Sequence, residues 1–313
     1  MSRNTPRVII VGMGTQGLKR QRSIGEDFVG FVDPFNKNSD FQSIYEVPLE
    51  SYDAAMVCTP DGEKFSVVQF LLRNSKHVLC EKPLLLRSRK DFWKIQGEAS
   101  KSNVVYYTAY NHRFEPSIIK AKDIISENYL GEIYFVNLFY GNGTSQDILN
   151  SSWRDSNAGI IHDLGSHLID LLNFWFPKLN VDFQSTFMGN FETKSPDYAI
   201  LHSWKCLPKV TLEVTACMWK NTFRASIVGS EGSLHIDGLT KWGRCTLSQR
   251  TRVFPSGVPG ESISNFESGD LTWDREYQHF KDLISKGSRS SLDTDYYIWN
   301  ALQKPFKQAK RVL

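Results

Sequence analysis

The sequence has 313 residues, more than one domain of about 100–150 residues, and therefore favours two domains. Hydrophobic residues make up 41% and charged residues 23%, a balance that excludes a disordered or fibrous chain. The 37 basic and 34 acidic residues are interleaved, so the net charge of +3 forms neither a stripe for nucleic acid nor a polybasic membrane patch. We therefore expect a globular protein with a small-molecule partner.

The cysteines indicate a reducing environment. Their number, five, is odd, and no two are spaced as Cys-x-x-Cys, which argues against a disulfide framework and against a zinc site. They are Cys58, Cys80, Cys206, Cys217 and Cys245. No apolar run approaches the roughly 18 residues of a membrane span, and Val8–Val11 is too short for the core of a signal peptide. We expect a cytoplasmic protein that binds neither membrane nor nucleic acid.

The first part of the chain alternates strand-like and helix-like segments. Short apolar runs that end at polar or turn residues predict strands, and longer stretches with helical periodicity lie between them. We expect strands at Arg7–Val11, Phe28–Val32, Ala54–Cys58, His77–Cys80 and Val104–Thr108, and helices at Leu18–Ile24, Glu63–Asn74 and Arg87–Ser100. Alternation of this kind predicts a parallel sheet with crossover helices.

From about residue 130 strand-like runs follow one another with few helices between them, which predicts a large, mainly antiparallel sheet. The runs are Glu132–Tyr140, Val181–Met188, Tyr198–Trp204, Val210–Cys217 and Thr222–Val228, and the helices are Gly159–Phe176, Trp273–Ser285 and Asp293–Arg311. Phe254–Gly269, rich in Gly, Pro and Ser, is predicted to be a mobile surface loop. The fold class is α/β, with domains at 1–116 and 117–313 and a C-terminal helix able to pack back on the first domain.

A glycine loop follows the first predicted strand. In Gly12–Gly17 the spacing is Gly-x-Gly-x-x-Gly: Gly12 permits a tight turn, Gly14 lets a pyrophosphate approach the backbone, and Gly17 lets helix and strand touch. The helix that follows directs its N-terminus at the phosphates. Asp33 ends the second predicted strand, near the position of a carboxylate that binds an adenosine ribose. The pattern predicts a dinucleotide site; the alternative is a plain turn with Asp33 as a helix cap.

The charge at Asp33 favours NAD over NADP, because a carboxylate would repel a 2′-phosphate. Lys37, close in sequence, could partly neutralise that repulsion, so NADP stays the alternative. The predicted helix after the loop covers only about two turns, and the interval between Asp33 and Asp53 is too short for a full helix with its connections. We expect an adenosine side that is more open than usual.

The segment Glu81-Lys82-Pro83 follows a predicted strand, so Lys82 lies at the carboxyl end of a sheet strand, where ligands bind in open α/β sheets. Burial lowers the pKa of a lysine and so prepares it for proton transfer. The alternative is a surface lysine paired with Glu81. The peptide bond before Pro83 is a candidate for the cis form.

A second polar cluster lies on the predicted helix Gly159–Phe176. Asp163, His167 and Asp170 are spaced i, i+4 and i+7 and would share one face of an otherwise apolar helix. Polar groups on such a helix are costly unless they are paired or used. Asp163 and His167 could ligate a metal, but no third ligand of suitable spacing is evident, and we expect no metal site. The other alternative is a capping Asp163 with His167 satisfied structurally.

Together these motifs resemble the glucose-fructose oxidoreductase, inositol dehydrogenase and rhizopine catabolism protein (Gfo/Idh/MocA) family. They occur in the family's order: the Gly12 loop, Thr59-Pro60, Glu81-Lys82-Pro83, Asn111-His112-Arg113-Phe114-Glu115-Pro116, Gly131-Glu132-Ile133, Trp153-Arg154, and Asp163 to Asp170. The resemblance implies a Rossmann domain, a second α/β domain whose open sheet forms a homodimer or homotetramer interface, and oxidation of a hydroxyl on a sugar, nucleotide sugar or cyclitol. Lys64 replaces a histidine, and Ala158 a glycine, that many relatives carry.

The resemblance also implies roles for residues. The catalytic group is Lys82, Asp163 and His167. The residues expected at the cofactor are Gly12, Gly14, Thr15, Gln16, Gly17, Asp33, Thr59, Pro60, Glu81 and Lys82. Those expected at the substrate are Asn111, Arg113, Trp153, Arg154, Asp163 and His167.

Oxidation of a hydroxyl needs a base within hydrogen-bond reach and a path for hydride to the nicotinamide. We assign His167 as the base, Lys82 as the donor that polarises the oxygen, and Asp163 as the residue that orients the substrate and tunes Lys82. Two alternatives remain: a sensor that keeps the nucleotide without turnover, and a glycosidase that uses bound NAD for transient oxidation.

Overall fold

The computed structural model describes residues 5–151, 154–156, 158–177, 179–205 and 207–312, with side chains up to residue 308. They form two compact units, each with its own sheet. The first contains the residues up to Asn111 together with Thr272–Trp299; the second contains His112–Leu271 together with the residues from Asn300 onward. The division into domains 1–116 and 117–313 stays a prediction about which segments fold independently.

The described α-helices are α1 (Thr15–Ile24), α2 (Asp61–Arg73), α3 (Arg89–Lys101), α4 (Pro116–Ser126), α5 (Ser145–Leu149), α6 (Ser166–Trp175), α7 (Thr272–Ser285) and α8 (Asp293–Val312). In the described chain none of them is long and apolar enough to cross a membrane.

The sheet of the first unit is parallel throughout its described pairings. Its strands are β1 (Val8–Val11), β2 (Phe28–Val32), β3 (Ala54–Val57), β4 (His77–Glu81) and β5 (Tyr106–Ala109), in the order β2-β1-β3-β4-β5. Every residue of β1 and β3 is buried, which explains why these strands read as continuous apolar runs rather than alternating ones. The predicted Rossmann-type sheet is confirmed.

Helices cover both faces of this sheet. On one face Ile9 and Val57 share an apolar core with Leu72 of α2 and Ile95 of α3. On the other face Ile10 and Met56 pack with Ile24 of α1 and with Tyr277 and Phe280 of α7. The result is a three-layer α/β unit to which a segment from late in the sequence contributes α7 and the start of α8.

Two details of the first unit bear on the cofactor side. Between β2 and β3 the described chain has short 3₁₀ turns, Ile44–Glu46 and Leu49–Ser51, and no α-helix, as the short interval predicts. The predicted length of the first helix is wrong: α1 begins at Thr15 rather than Leu18 and has 10 residues, because the glycine loop leads directly into it with Gly14 as the N-cap.

The second unit contains an eight-stranded sheet. Its strands are β6 (Ile133–Gly141), β7 (Gln184–Gly189), β8 (Tyr198–Ser203), β9 (Lys209–Thr215), β10 (Thr222–Gly229), β11 (Gly232–Asp237), β12 (Cys245–Thr251) and β13 (Gly260–Phe266), in the order β13-β12-β11-β10-β6-β9-β8-β7. The pair β6 and β9 is parallel and the other described pairs are antiparallel, which confirms a mainly antiparallel sheet. Buried residues alternate along β8 and β10, so one face carries the core.

The prediction of a mobile loop at Phe254–Gly269 is wrong for Gly260–Phe266, which form a strand, while the residues on either side lie outside helices and strands. Within this segment β13 pairs along seven residues with β12, from Cys245 opposite Phe266 to Thr251 opposite Gly260. As an edge strand it is largely exposed on both faces, so it lacks the apolar alternation that identifies a strand in a sequence.

Candidate functional site

The glycine loop between β1 and α1 has the shape of a phosphate cradle. Gly12 has a φ of 95°, and a Cβ there would lie 2.9 Å from the carbonyl oxygen of Cys58. A Cβ on Gly17 would lie 2.2 Å from the carbonyl oxygen of Gly12. A Cβ on Gly14, by contrast, would meet nothing within 4 Å. Packing therefore requires glycine at the two outer positions, whereas the middle glycine keeps open a space at the N-terminus of α1, as pyrophosphate binding needs.

Asp33 joins the end of β2 to this loop. Its Oδ2 accepts a hydrogen bond from the backbone N–H of Met13 at 2.9 Å, and its Oδ1 accepts from those of Phe35 and Asn36 at 2.9 and 3.2 Å. The carboxylate is therefore held beside the glycine loop without a helix to cap. Thr15 and Gln16, also predicted at the cofactor, are exposed in the first turn of α1.

Thr59 supplies a polar atom that fits a ligand here. It follows β3 and precedes α2, for which Pro60 is the N-cap. Its backbone nitrogen lies against Gly12, 3.2 Å from where a Cβ on that glycine would be. Within the described chain its hydroxyl oxygen is buried without a hydrogen-bond partner. Buried hydroxyls are nearly always bonded, so this one is suited to a polar group bound in the loop.

The end of β4 presents Lys82 in a fixed turn. The Lys82–Pro83 peptide bond is cis. The carbonyl oxygen of Pro83 accepts a hydrogen bond at 2.9 Å from Nζ of Lys64, which is itself buried and lies 2.7 Å from Asp61. Burial alone would lower the pKa of Lys64, but attraction by Asp61 raises it overall, so this lysine stays charged. The departure from the usual histidine at position 64 thus supports the turn that carries half-buried Lys82.

Glu81 is bound within the protein. Its Oε1 lies 2.6 Å from Nε of Arg20, and Nη1 of the same arginine lies 2.6 Å from Oε2 of Glu276. Burial would lower the pKa of Arg20, but the two carboxylates raise it well above its usual value. Glu81 therefore holds α1 and α7 at the end of β4, and its predicted contact with the cofactor stays a prediction.

In the second unit the segment that carries Asp163 and His167 is not one regular helix, contrary to the prediction. Ile161–Gly165 is π-helical, and α6 begins only at Ser166. Gly159, just before it, has a φ of 46°, and a Cβ there would lie 2.3 Å from the carbonyl oxygen of Pro196. The wider π turn changes the angular offset between residues 163 and 167, and such turns are frequent at functional sites.

The three polar residues of this segment have different partners. Asp163, about one third exposed, lies 3.4 Å from Nη2 of Arg154. Asp170 is buried and forms a two-pronged ion pair with Arg113. Burial raises the pKa of Asp170, opposed by Arg113. Asp170 and Arg113 thus neutralise each other, and the shared polar face of Asp163, His167 and Asp170 stays a prediction.

His167 lies on α6, and its Nδ1 contacts a second histidine. Its Nδ1 is 2.7 Å from Nδ1 of His112, and Nε2 of His112 is 2.6 Å from Nζ of Lys241. The sequence analysis assigned no function to His112 or Lys241. His112 stands in the quoted Asn111 to Pro116 motif, a signal that could have found it; Lys241 is 129 positions away from it in the chain, with no motif to mark it.

The remaining predicted substrate residues have different partners in the structure. Asn111 is buried and donates from Nδ2 to Oγ1 of Thr272 at 2.9 Å within the first unit. Arg113 and Arg154 have the ion pairs given above. Trp153 lies outside the described residues. Among those described, no group of three His, Cys, Asp or Glu side chains is placed to hold a metal ion.

Two family models match the chain. Residues 2–110 match an oxidoreductase family with an NAD-binding Rossmann fold, and residues 118–235 match the GFO/IDH/MocA C-terminal domain. Over 144 residues the chain is 27% identical to the levoglucosan dehydrogenase of Pseudarthrobacter phenanthrenivorans, a match that covers 44% of this chain and 36% of that protein. The chain thus spans little more than a third of the length of this curated relative.

Solved structures are similar over nearly the full chain. A candidate NADPH-dependent oxidoreductase from Desulfitobacterium hafniense superposes with a TM-score of 0.82 at 17% identity, covering 97% of this chain and 95% of that one. A levoglucosan dehydrogenase in complex with NADH superposes with a TM-score of 0.79 at 16% identity, covering 96% and 97%. At such identities the likeness shows a shared fold. The chain belongs to the GFO/IDH/MocA oxidoreductase family, with its NAD-binding Rossmann domain followed by its C-terminal domain.

Proposed function

We propose that the protein is an NAD(P)-dependent dehydrogenase or reductase acting on the CH–OH group of a sugar, nucleotide sugar or cyclitol. The observation that carries this proposal is the glycine loop: a Cβ on Gly12 or Gly17 would lie within 3 Å of a backbone oxygen, whereas a Cβ on Gly14 would meet nothing within 4 Å. The backbone of Thr59 lies against Gly12, and its buried hydroxyl has no partner within the described chain. A loop built this way in a family of NAD-binding oxidoreductases supports a nucleotide cofactor.

NAD is the cofactor we favour. The Asp33 carboxylate is fixed beside the loop and would accept hydrogen bonds from the ribose hydroxyls, whereas it would repel a 2′-phosphate. Exposed Lys37 is the group that could weaken this discrimination, and a structural relative described as NADPH-dependent keeps NADP as the alternative.

The catalytic roles follow from the chemistry of the side chains. The bound nicotinamide would supply hydride acceptance or donation at the reacting carbon. His167 exchanges the hydroxyl proton as the general base or acid, and Lys82 donates a hydrogen bond to the reacting oxygen. Asp163 orients the substrate, and Arg154, paired with Asp163, and Trp153 line the sugar.

The substrate class is tested in two steps with the full chain. First, titration with NADH and NADPH, followed by protein-to-nucleotide fluorescence transfer, determines whether nucleotide exchanges freely. Second, a panel of levoglucosan, myo-inositol, glucose 6-phosphate and nucleotide sugars is assayed for NADH formation, with His167→Asn as the comparison. Turnover that is lost in His167→Asn supports the proposal; unchanged turnover in that variant across pH would overturn the role of His167.

The two alternatives give different results in the same experiment. A sensor binds nucleotide and sugar but forms no NADH with any member of the panel. An NAD-dependent glycosidase holds nucleotide that does not exchange and cleaves glycosides without net NADH.

We further propose a cytoplasmic homodimer or homotetramer, with a small molecule rather than nucleic acid or membrane as partner. Free thiols at Cys58, Cys80, Cys217 and Cys245 support a reducing compartment; Cys206 lies outside the described residues. Phe135, Phe187 and Ile263, exposed on strands of the large sheet, support association. Light scattering coupled to size exclusion measures the oligomer, and a monomer at all concentrations would contradict it.

A further inference from the structure

A hydrogen-bonded chain of three basic side chains runs through the second unit. Nζ of Lys241 is 2.6 Å from Nε2 of His112, and Nδ1 of His112 is 2.7 Å from Nδ1 of His167. The members come from three separate elements: the 3₁₀ turn Thr240–Trp242, the 3₁₀ turn Asn111–Phe114, and α6. Because Nδ1 of His167 is engaged by His112, any proton exchange between His167 and a substrate takes place at Nε2.

The hydrogen-bonded series of Lys241, His112 and His167 is held rigidly. His112 is 1% exposed and His167 is 6% exposed, and their rings stand nearly perpendicular with centroids 4.0 Å apart. Tyr140 packs against both rings, at 5.4 and 5.9 Å between centroids. Buried Glu115 accepts hydrogen bonds from the backbone N–H and the hydroxyl of Thr240, at 2.9 and 2.6 Å, and so fixes the turn that carries Lys241.

Each hydrogen bond contains one proton, and each neutral imidazole ring carries one. When both imidazoles are neutral, the protons can therefore be arranged in two ways. When Lys241 is an ammonium it donates to Nε2 of His112. His112 then carries its proton on Nδ1 and donates to His167, which must carry its own proton on Nε2. When Lys241 is a neutral amine, its nitrogen can accept a hydrogen bond from Nε2 of His112. In that arrangement His167 donates from Nδ1 to His112, and Nε2 of His167 carries no proton. The two arrangements differ by one proton.

We propose that Lys241 and His112 are positioning residues that set whether His167 acts as an acid or as a base. With Lys241 charged, Nε2 of His167 is a donor that can protonate the oxygen formed in carbonyl reduction. With Lys241 neutral, the same nitrogen accepts the hydroxyl proton during oxidation. That proton is balanced by transfer from Nδ1 of His167 to Nδ1 of His112, and from Nε2 of His112 to the amine of Lys241.

The surrounding groups are compatible with this role. Burial raises the pKa of Tyr140 well above its usual value, and the carboxylates of Glu115, Asp163 and Asp270 raise it further, so the phenol keeps its proton. The nearby Arg113 is neutralised by Asp170.

Lys241 is also suited to be the last member of this hydrogen-bonded series. Its Nζ lies 4.6 Å from the centroid of the Trp242 ring, an arrangement that stabilises the ammonium form. The residue is only partly buried, whereas His112 and His167 are fully buried. A proton that reaches Lys241 can therefore exchange with solvent, which neither histidine can do directly.

The assignment of His167 as the acid or base rests on the proposed function. The hydrogen bonds between Lys241, His112 and His167 are tested without substrate or nucleotide. The full chain labelled with ¹⁵N-histidine is examined by NMR at about pH 8, between the usual pKa values of His, about 6.5, and Lys, about 10.4. Spectra of His112→Gln and His167→Gln assign the signals. We expect protonated Nδ1 on His112 and protonated Nε2 on His167.

Substitutions at Lys241 should then change the tautomers. Lys241→Met removes the ammonium donor that fixes the proton of His112 on Nδ1, so at about pH 8 signals of both tautomers of each histidine should appear. Lys241→Arg should keep the original tautomers even at about pH 11, where the unsubstituted protein switches, since arginine does not lose its proton. Lys209→Met, at an exposed lysine on β9, is the matched control and should leave both tautomers unchanged.

Two results would overturn the proposal: a proton on Nε2 of His112 in the unsubstituted protein at about pH 8, or identical tautomers in Lys241→Met and the unsubstituted protein. Circular dichroism of each variant verifies that it is folded. If Lys241→Met does not fold, Lys241→Arg and the unsubstituted protein still decide the matter, because only the latter should switch with pH. Failure of the tautomer test leaves the dehydrogenase assay untouched, and an inactive enzyme leaves the tautomer test valid.

Discussion

At the scale of single residues, the three glycines of the cofactor loop are required for different reasons. Gly12 and Gly17 are required by contacts inside the protein, since a Cβ on either would lie within 3 Å of a backbone oxygen. Gly14 makes no such contact. Its lack of a side chain matters only when a ligand approaches the loop. A substitution at Gly14 can therefore change ligand affinity with little effect on folding.

Gly14→Ala should therefore weaken nucleotide binding, with a loss of at most about 1 kcal/mol in the free energy of unfolding because alanine is a poorer N-cap than glycine. An added methyl group in a close contact costs about 1–3 kcal/mol, which raises the Kd for NADH by about tenfold or more. The measurements are a fluorescence titration with NADH and a denaturant unfolding curve. Gly17→Ala is the contrast and should be destabilised, because its Cβ would lie 2.2 Å from the Gly12 oxygen. Equal NADH affinity in Gly14→Ala and the unsubstituted protein would place the nucleotide elsewhere.

Asp33→Ser should change the choice between NADH and NADPH. Removal of a charged acceptor costs about 1.5–3 kcal/mol, so the Kd for NADH should rise about tenfold or more. The Kd for NADPH should rise less or fall, because repulsion of the 2′-phosphate disappears. Asp33 also binds the N–H of Met13, so the ratio of the two Kd values, rather than either alone, is the measurement. A constant ratio would contradict a ribose contact.

At the scale of elements, the π-helical segment Ile161–Gly165 determines where Asp163 and His167 point. It lies shortly after Gly159, which has a positive φ, and it ends at Gly165, which has helical torsion angles. The two glycines therefore offer a matched pair of substitutions: the same chemical change at the two ends of one segment, with opposite steric consequences.

Gly159→Ala should destabilise the second unit by about 1–3 kcal/mol, because the residue would hold a strained φ and its Cβ would meet the Pro196 oxygen. Gly165→Ala should be neutral or stabilising by up to about 1 kcal/mol: its Cβ would lie 3.7 Å from the nearest atom, on Ile161, and alanine favours helix. Denaturant unfolding measures both. A similar loss in the two variants would show that the positive φ at Gly159 is not limiting.

Arg20 is the residue that joins two helices, α1 and α7, distant in sequence. It is buried between Glu81 and Glu276, and its guanidinium lies 4.3 Å from the centroid of the Trp273 ring. Without the arginine, two carboxylates remain buried without their cation. The attachment of Thr272–Trp299 to the first unit thus depends on this buried ionic contact, on the ion pair between Lys281 and Asp27, and on apolar packing.

Arg20→Met should lower the free energy of unfolding by about 3–5 kcal/mol, as expected when one partner of a buried pair is removed. Arg22→Met, at an exposed position on the same helix, should change it by less than about 0.5 kcal/mol. The buried carboxylates of the variant acquire raised pKa values, so their penalty grows as pH rises above the usual value of about 4.3 and shrinks at lower pH. A deficit independent of pH would indicate lost packing instead.

At the scale of the whole molecule, the parts that could be predicted from the sequence are those with a local signal. The first sheet follows from buried apolar runs such as Val8–Val11, and the cofactor loop from the spacing of its glycines. Edge strand β13 was missed because its side chains are exposed and its pairing is through the backbone. Lys241 was missed because its contact with His112 exists only once distant segments have folded together.

Two further histidines, one in each unit, are held by hydrogen bonds within the protein. His77 begins β4 and its Nδ1 accepts a hydrogen bond at 3.0 Å from the backbone N–H of Val105 in the first unit. His235 on β11 lies 3.1 Å from the hydroxyl of Ser226 and 3.0 Å from that of Ser233 in the second unit. Burial lowers the pKa of both; Arg250 lowers that of His235 further. Each unit thus carries a histidine that folds in its neutral form.

These two histidines should make the whole chain sensitive to mild acid. A folded-state pKa below the unfolded value of about 6.5 means that the unfolded chain binds more protons, so the stabilising contribution is complete above that pH and is lost as pH falls through the folded-state pKa. His77→Asn and His235→Asn should each flatten the loss of unfolding free energy between about pH 8 and about pH 5. Because the two sites share no partner, the double variant should be flattened by the sum of the two effects. Denaturant unfolding across this range measures the slopes. A His77→Asn curve parallel to that of the unsubstituted protein would mean that His77 has the same pKa in the folded and unfolded chain, and would contradict the prediction.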